Sequence, residues 1–304
     1  MFLKAETRRR LVGRAGGKSS RRLTRMEADF LADISPPGMT GRAGGWIMDK
    51  EFGKVKPIIT PGEWLNRDSL PPEAAGCSLA VIGFCKFHEM RDKLGAMQLS
   101  ESLFSHLDAS HQFIAQVADQ KILALECLYG GPMTATVIEE LAFYRIKEII
   151  GYGYAGSLTN TIHPGELVLA EVALVSDGTG GEYLPRVDLV YPDEALIHLF
   201  RKTASEANIA LRGVKIWTTD ALYREYPDKI VKWRQATADL VNMDTSHFYA
   251  VSRITGLAAV YLGVVSDCVE GPIWEDGFAH AKRAMGDLQD LIIEVIKTRR
   301  KKAH

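Results

Sequence analysis

Two acidic residues stand where they could do chemistry on a bound molecule. Asp267 follows Ser266 at the end of an apolar run, and Asp244 follows Met243 just before an amphipathic segment. A carboxyl group can give a proton to a leaving group, and a carboxylate can hold hydroxyl groups by accepting their hydrogen bonds. Aspartate is also a favoured helix N-cap, so either residue could serve only to start a helix.

Glycine-rich loops accompany these acids. Gly130-Gly131 follows one apolar run and opens a helical pattern, and Gly153 and Gly156 flank the end of the next run. Glycines at such points let the backbone approach a ligand closely, although a Gly-Gly-Pro sequence is also an ordinary turn. A third loop, residues 218–225, contains threonine, aspartate, tyrosine, arginine and glutamate side chains.

The segments that must position these residues alternate between two hydrophobic patterns. Short, nearly continuous apolar runs predict strands covered on both faces, and three- and four-residue spacing predicts helices. The predicted strands are 79–84, 122–127, 148–154, 167–176, 214–218 and 258–265. The predicted helices are 134–149, 193–208, 245–255 and 275–297. The alternation predicts an α/β fold, a three-layer α/β/α sandwich with a central mixed sheet, whose ligand sites gather at the strands' carboxyl ends.

Composition restricts the classes of function. Of 304 residues, 46% are hydrophobic and 25% charged, which is ordinary for a globular protein, and the net charge of -1 gives no reason to expect nucleic acid or a membrane surface as partner. No apolar run approaches the roughly 20 residues that a membrane-spanning helix needs. The four cysteines form no CxxC pair, so we expect reduced thiols and a cytoplasmic protein. The histidines that we considered as ligands lack metal-ligand spacing, so we expect no metal and no cofactor; they are His88, His111, His163 and His247.

Several segments occur in the order and spacing of a known family. The matching segments are Gly131-Pro132 with Glu139-Glu140-Leu141, Gly153-x-x-Gly156-Ser157-Leu158, Pro164-Gly165-Glu166-Leu167-Val168, Asp177-Gly178-Thr179, Tyr183-x-Pro185, Thr219-Asp220-Ala221-x-Tyr223-Arg224-Glu225, Met243-Asp244-Thr245 and Val265-Ser266-Asp267. Across about 78–297 they resemble the nucleoside phosphorylase superfamily, in particular its uridine phosphorylases, hexameric purine nucleoside phosphorylases and AMP nucleosidases. The resemblance implies a phosphorylase-like fold.

The resemblance also implies the chain's division into parts. Residues 78–304 are expected to form the phosphorylase-like catalytic domain. Residues 1–77 are expected to be a basic, Pro/Gly-rich N-terminal extension, because Glu6 is the only acid among the many Arg and Lys residues of 1–25 and Pro and Gly recur over 34–76. The basic arm could grip an anion or a neighbouring subunit, or act as a transit peptide; a solvated tail is the interpretation we favour.

Carrying the family's roles over residue by residue gives a candidate site. Asp267, with Ser266, would donate a proton or hydrogen bond to the leaving base, and Met243-Asp244 would hold the ribose hydroxyls. Base-binding positions would be Gly156, Leu222 and Tyr223, with Tyr154 or Trp274 as further stacking candidates. The phosphate or water side would contain Gly83, Lys86 and Tyr154.

The chain departs from the family at functional positions. Gly151 stands where the phosphorylases carry an arginine, Tyr154 replaces a Ser or Thr, Asp244 replaces a Glu, and Leu222 replaces an aromatic platform. Phosphate held without bidentate arginine would bind weakly. Either water is the nucleophile, with His88 or Glu89 as the candidate to activate it, or an anion site is rebuilt from Lys86, Arg224 or the basic arm.

The sequence therefore predicts an enzyme that cleaves the N-glycosidic bond of a nucleoside, with a purine favoured, by water or phosphate attack and a lean to hydrolysis. The alternative is a non-catalytic, nucleoside-binding or storage-type relative. Implied partners are a nucleoside, phosphate in the phosphorolytic case, and copies of the chain itself in a dimer or trimer of dimers.

Overall fold

The structure is a computed structural model that describes residues 57–66, 71–86, 88–271 and 273–299. The basic arm and much of the Pro/Gly-rich segment lie outside the described residues, so the division at residue 77 stays a prediction. Over the part of the chain that is described, no helix is long and apolar enough to cross a membrane.

One mixed sheet forms the centre of the described part. Its strands are β1 (Leu79–Gly83), β2 (Met97–Gln98), β3 (Gln112–Val117), β4 (Gln120–Glu126), β5 (Glu148–Ser157), β6 (Leu167–Leu174), β7 (Leu189–Val190), β8 (Arg212–Thr218), β9 (Leu240–Asn242), β10 (Ala258–Cys268) and β11 (Glu275–Asp276). Their order is β11-β10-β6-β8-β9-β5-β1-β4-β3-β2, with β7 beside β6 and an additional pairing of β10 with β5. The neighbours of β1 and the β5–β10 pair are parallel, whereas β9 runs antiparallel to β5.

Helices cover both faces of this sheet. They are α1 (His88–Leu94), α2 (Gly131–Phe143), α3 (Gly178–Tyr183), α4 (Glu194–Glu206), α5 (Pro227–Gln235), α6 (Thr245–Thr255) and α7 (Phe278–Thr298), with short 3₁₀ turns at Pro61–Glu63, Ala109–His111 and Leu222–Arg224. The side chains of β1 alternate between two cores: Leu79 and Val81 pack with α1, α4 and α7, and Ala80 and Ile82 pack with α2 and α6. The predicted three-layer α/β fold with a mixed sheet is confirmed.

Two predicted helices have different boundaries in the structure. The predicted helix 134–149 is α2, which starts earlier because Pro132 suits a first helical turn and ends at Phe143. Arg145 then adopts a left-handed conformation with φ of 65°, and Ile149 belongs to β5. The apolar spacing that extends the predicted helix to residue 149 runs through a turn at Arg145 and into the buried strand β5. Likewise the predicted helix 275–297 begins only at Phe278, because Glu275–Asp276 pairs with β10.

Candidate active site

The carboxyl end of β5 is the point from which the candidate site is built. Gly156 pairs with Asp267 of β10 on one side and with Val241 of β9 on the other. Since neighbouring strands lie about 4.8 Å apart, the backbones of Asp267 and Val241 are about 10 Å apart, with β5 between them. β9 ends at Asn242, and Met243-Asp244 follows directly. Two acids far apart in sequence are thus placed on opposite sides of one strand.

A cavity of about 730 Å³ opens at this point. The predicted site residues that line it are Tyr154, Gly156, Leu222, Tyr223, Met243, Asp244, Ser266 and Asp267. Trp274, a further stacking candidate, also lines it, and the lining residues that were not predicted are Phe84, Cys85, Tyr129, Ala155, Glu225, Val241, Asn242, Val269 and Phe278. Tyr154 leaves the cavity open, with its ring packed edge-on against Phe278 at 5.5 Å between centroids.

Asp267 is held in place by two donors. Ser266 Oγ lies 2.5 Å from Oδ1, and Trp274 Nε1 donates to Oδ2 at 2.8 Å. The residue belongs to β10 and caps no helix, since α7 begins later and has Gly277 as its N-cap. Gly156 leaves room for this carboxyl group, because a Cβ there would lie only 3.1 Å from Asp267 Oδ2 and would push it aside. The carboxyl group is therefore oriented toward the cavity by its own supporting hydrogen bonds.

Asp244 precedes α6 but does not cap it. The Asn242 side chain does this instead, because its Oδ1 accepts from the backbone N–H groups of Asp244 and Thr245 at 3.2 and 3.3 Å. The Asp244 side chain makes no capping hydrogen bond. Its Oδ2 lies 3.4 Å from Tyr261 Oη, a long contact from a donor on β10. The carboxyl group is thus free to face the cavity.

Burial sets the protonation of Asp244. Its relative exposure is 7%, and this burial raises the pKa to about 7, with the charge of His247 and the Tyr261 hydrogen bond opposing the shift. A buried carboxylate is unfavourable without full hydrogen bonding, so burial increases the population of the protonated, neutral form. Near neutral pH the group can therefore both accept and release a proton.

Glu225 brings a third carboxyl group to the cavity. It follows the 3₁₀ turn Leu222–Arg224, and burial raises its pKa to about 7, with the Asp267 charge adding to the shift and Lys229 opposing it. Two neighbouring carboxyl groups do not both ionise readily, so the charge of Asp267 favours the protonated form of Glu225. The sequence contained this residue in a matched segment, but no local pattern indicated its burial or its neighbour.

Comparison with models of known protein families identifies the family of this chain. Residues 79–297 match the family model described as "Phosphorylase superfamily", which covers well over half of the chain. The chain belongs to the phosphorylase superfamily. An uncharacterized protein of Acanthamoeba polyphaga mimivirus is 34% identical over 215 residues, covering 70% of this chain and 83% of that protein.

Solved structures of the superfamily share the fold of this member. Purine nucleoside phosphorylase from Toxoplasma gondii, in complex with immucillin-H, gives a TM-score of 0.66 at 19% identity over 76% of this chain and 94% of that chain. The 5'-methylthioadenosine/S-adenosyl homocysteine nucleosidase of Campylobacter jejuni gives 0.62 at 17% identity over 73% and 99%. At these identities the likeness concerns the fold.

The side of the cavity predicted for phosphate or water differs from the prediction. Gly83 ends β1 and Lys86 is exposed, and neither lines the cavity. The chain turns after β1 so that Phe84 and Cys85 face inward instead. Among the described residues that line the cavity, none carries a lysine, arginine or histidine side chain. The Lys86 and Arg224 positions proposed for a rebuilt anion site therefore lie outside this lining.

Gly151 explains why this superfamily member has no arginine at that position. A Cβ on Gly151 would lie 3.0 Å from Phe248, 3.1 Å from Phe84 and 3.1 Å from Tyr261. These three rings pack against one another with centroids 5.6 to 6.2 Å apart. Aromatic packing thus fills the space that a longer side chain would need.

We expect Gly151→Ala to lower the free energy of unfolding by about 1–3 kcal/mol, because three buried rings must move to admit one methyl group. Urea unfolding with an unchanged m-value measures it. Gly181→Ala is the matched control: an added Cβ there meets nothing within 4 Å, so stability should hold or rise slightly. Equal stability of the two variants would contradict the packing argument.

The mouth of the cavity is open to solvent where Leu222, Tyr223 and Trp274 line it. Leu222 and Tyr223 are 53% and 87% exposed, and Trp274, at 56%, is the aromatic ring that the Asp267 hydrogen bond fixes in place. Trp274 is therefore anchored at the cavity mouth by a hydrogen bond, whereas Tyr223 is almost fully exposed.

A second polar cluster lies outside the cavity lining. Asp177 caps α3 through Gly180 N at 2.6 Å, contacts His247 Nδ1 at 3.2 Å and accepts from Ser246 Oγ. With Asp220, candidate ligand atoms of Asp177 and His247 lie within 4.8 Å of one another, an arrangement that the sequence spacing of the histidines did not predict. Hydrogen bonds from the chain engage both acids, so we assign the cluster a role in joining α3 to α6.

Proposed function

We propose that this protein hydrolyses the N-glycosidic bond of a nucleoside, with a purine nucleoside favoured, and releases the free base. One observation carries the proposal. The cavity contains three carboxyl groups, Glu225, Asp244 and Asp267, and no basic side chain among its described lining residues.

The charge of the lining argues for water rather than phosphate as the nucleophile. A phosphate dianion is normally held by bidentate arginine or by several backbone donors. Ionised carboxyl groups around one site would repel it, and Coulomb repulsion is stronger where protein replaces bulk water. Water meets no such barrier. The same repulsion acts on a phosphate attached to the sugar, so we propose a nucleoside rather than a nucleotide as the substrate.

The same charges suit the reaction's transition state. As the glycosidic bond breaks, the sugar gains positive charge and the base gains negative charge. Carboxylates near the sugar stabilise the first, and a proton or hydrogen bond from Asp267 neutralises the second. Ser266 and Trp274 fix the Asp267 carboxyl, and Met243-Asp244, which lines the same cavity, is proposed to face the sugar. The names of the two solved relatives, both enzymes of purine nucleosides, support the choice of base.

The superfamily resemblance also suggests a homo-oligomer, a dimer or trimer of dimers. Exposed aromatic side chains at the cavity mouth, Tyr129, Tyr223 and Trp274, offer a surface that a second copy would cover. Size-exclusion chromatography with light scattering measures the assembly, and a monomer at micromolar concentration would contradict it.

Base release tests the proposed reaction. Purified protein is incubated with purine and pyrimidine nucleosides and their 5′-nucleotides, with and without phosphate, and free base and sugar are quantified by chromatography. We expect purine nucleosides to yield base and free ribose at a rate that added phosphate does not change. Ribose 1-phosphate as product would overturn hydrolysis in favour of phosphorolysis. No base from any substrate would favour the non-catalytic relative.

A further inference from the structure

Hydrolysis requires a group that accepts a proton from water, and the cavity restricts which group this is. The inference rests on the proposed function. In the described lining, the ionisable side chains apart from the carboxyl groups are a cysteine and three tyrosines. Burial raises the pKa of the Cys85 thiol and of the Tyr129 phenol, so both stay protonated near neutral pH and cannot act as bases. The base must then be a carboxylate.

Position separates the three carboxyl groups. Glu225 lies close enough to Asp267 for the charge of one to act on the other. Asp244 is on the other side of β5, beside Tyr261, and its charge acts on Cys85 and Tyr129 rather than on Glu225. An attacking water approaches the sugar from the face opposite the leaving base. Asp244 is the carboxyl group that lies away from the acid pair.

We propose that Asp244 is the general base of this site, which takes a proton from a water molecule held between its carboxylate, Cys85 and Tyr129. The shorter side chain is part of the argument. Relative to the glutamate that the resemblance predicts, aspartate withdraws the carboxylate by about 1.5 Å. That shortening weakens direct contact with a ribose hydroxyl but leaves space for water at hydrogen-bond distance.

The step balances without any further reactant. The water oxygen forms a bond to the anomeric carbon as the bond from that carbon to the base nitrogen breaks. One water proton passes to Asp244, and the proton of the Asp267–Glu225 pair passes to the departing base. The products are free base and free sugar. Release of the Asp244 proton to solvent and uptake of a proton by the acid pair restore the starting state.

This assignment gives a defined pH dependence. The titratable groups that face Asp244 are His247 on α6, Tyr261 on β10, Cys85 after β1 and Tyr129 after β4. Because burial raises the Asp244 pKa to about 7, the base form is half-populated near neutrality and disappears as the pH falls. The rate should therefore decline tenfold per pH unit on the acid side. The alkaline side of the profile is governed by the requirement for a protonated acid beside the leaving base.

The test compares Asp244→Asn with wild type over pH 5 to 9. We expect kcat to fall by about 10²–10⁴-fold, the acid limb to disappear and the alkaline limb to remain. In Asp244→Ala, added formate or azide should restore base release, with glycosyl azide as the product in azide. Glu139→Gln is the matched control: it removes a half-buried carboxyl group on α2 whose pKa burial also raises, outside the cavity lining, and it should keep both limbs.

Four outcomes would overturn the assignment. An unchanged acid limb in Asp244→Asn removes Asp244 as the base. A raised KM with kcat and both limbs preserved makes it a ribose-holding residue only. Base release by wild type and Asp244→Asn at equal rates has the same consequence for catalysis. If wild type itself releases no base from any nucleoside, the proposed function is wrong and the assignment falls with it. Circular dichroism of each variant checks that it is folded.

Discussion

Asp267→Asn is expected to lower kcat for base release from a purine nucleoside by about 10²–10⁴-fold with little change in KM. The substitution keeps the size of the side chain and an oxygen that accepts the Trp274 hydrogen bond, which is 2.8 Å long in the wild type. It removes only the ability to hand a proton to the leaving base. The loss should therefore appear in the chemical step and not in substrate binding.

The identity of the leaving base provides the internal check. A nucleoside such as 7-methylguanosine already carries positive charge on its base and departs without a proton, so its cleavage should be largely spared in Asp267→Asn. The matched control is Asp276→Asn, because Asp276 pairs with Asp267 across β10 and β11 but lies outside the cavity lining. It should retain near-wild-type rates. Equal losses for both substrates would show that Asp267 acts through structure rather than as an acid.

Most of the sheet can be predicted from the sequence, because its long strands are recognisable from the local run of apolar residues. β1, β5 and β10 are continuous apolar runs covered on both faces, which is the signature of buried strands between helical layers. Their burial leaves few alternatives for where they can lie. β9 has no comparable signature, since three residues cannot display a period. Yet β9, paired with β5 at Gly156, is what delivers Met243-Asp244 to the cavity.

Candidate site residues were predicted where a motif ends a strand, and missed where tertiary packing decides. Ser266-Asp267 and Met243-Asp244 fall in the cavity because strand ends gather there. Lys86 lies outside the cavity lining, because Phe84 and Cys85 face inward after β1. Phe84 packs with the aromatic rings around Gly151, and this tertiary contact cannot be recognised from local sequence spacing. Glu225 cannot be singled out from the sequence for a related reason. Its pKa is raised by burial and by the nearby charge of Asp267, and neither follows from the local sequence pattern.

The hydrogen bonds of Asn242 determine which role is left for Asp244. Aspartate before a helix normally reads as an N-cap, and Asp244 fits that pattern in sequence. In the structure Asn242 accepts the two N–H groups and also donates to Thr245 Oγ1 at 2.7 Å, so α6 is capped without Asp244. A carboxyl group relieved of a structural hydrogen bond, buried and facing a cavity is costly to keep, and such residues cluster at functional sites.

Asp244→Asn is expected to stabilise the fold at alkaline pH while it slows hydrolysis by about 10²–10⁴-fold. Burial raises the pKa of Asp244 from 3.8 to about 7, so between these values the folded protein binds a proton that the unfolded chain has released. The contribution of Asp244 to the free energy of unfolding therefore falls as the pH rises from about 4 to 7, and it stays low above 7. Asparagine has no such titration. Its advantage over wild type should be close to zero at pH 4 and grow to on the order of 2–4 kcal/mol at pH 8.

Urea unfolding at pH 4.5, 6 and 8 measures this difference, with the exposed Asp276→Asn as the control that should change little across the range. A gain for Asp244→Asn that increases with pH identifies a carboxylate kept at the expense of stability, as expected for a residue retained for its chemistry. A variant less stable than wild type at every pH would mean that the carboxylate supports the fold. The two readouts on one substitution then separate function from structure: lost turnover with gained stability belongs to a catalytic group, and lost turnover with lost stability to a structural one.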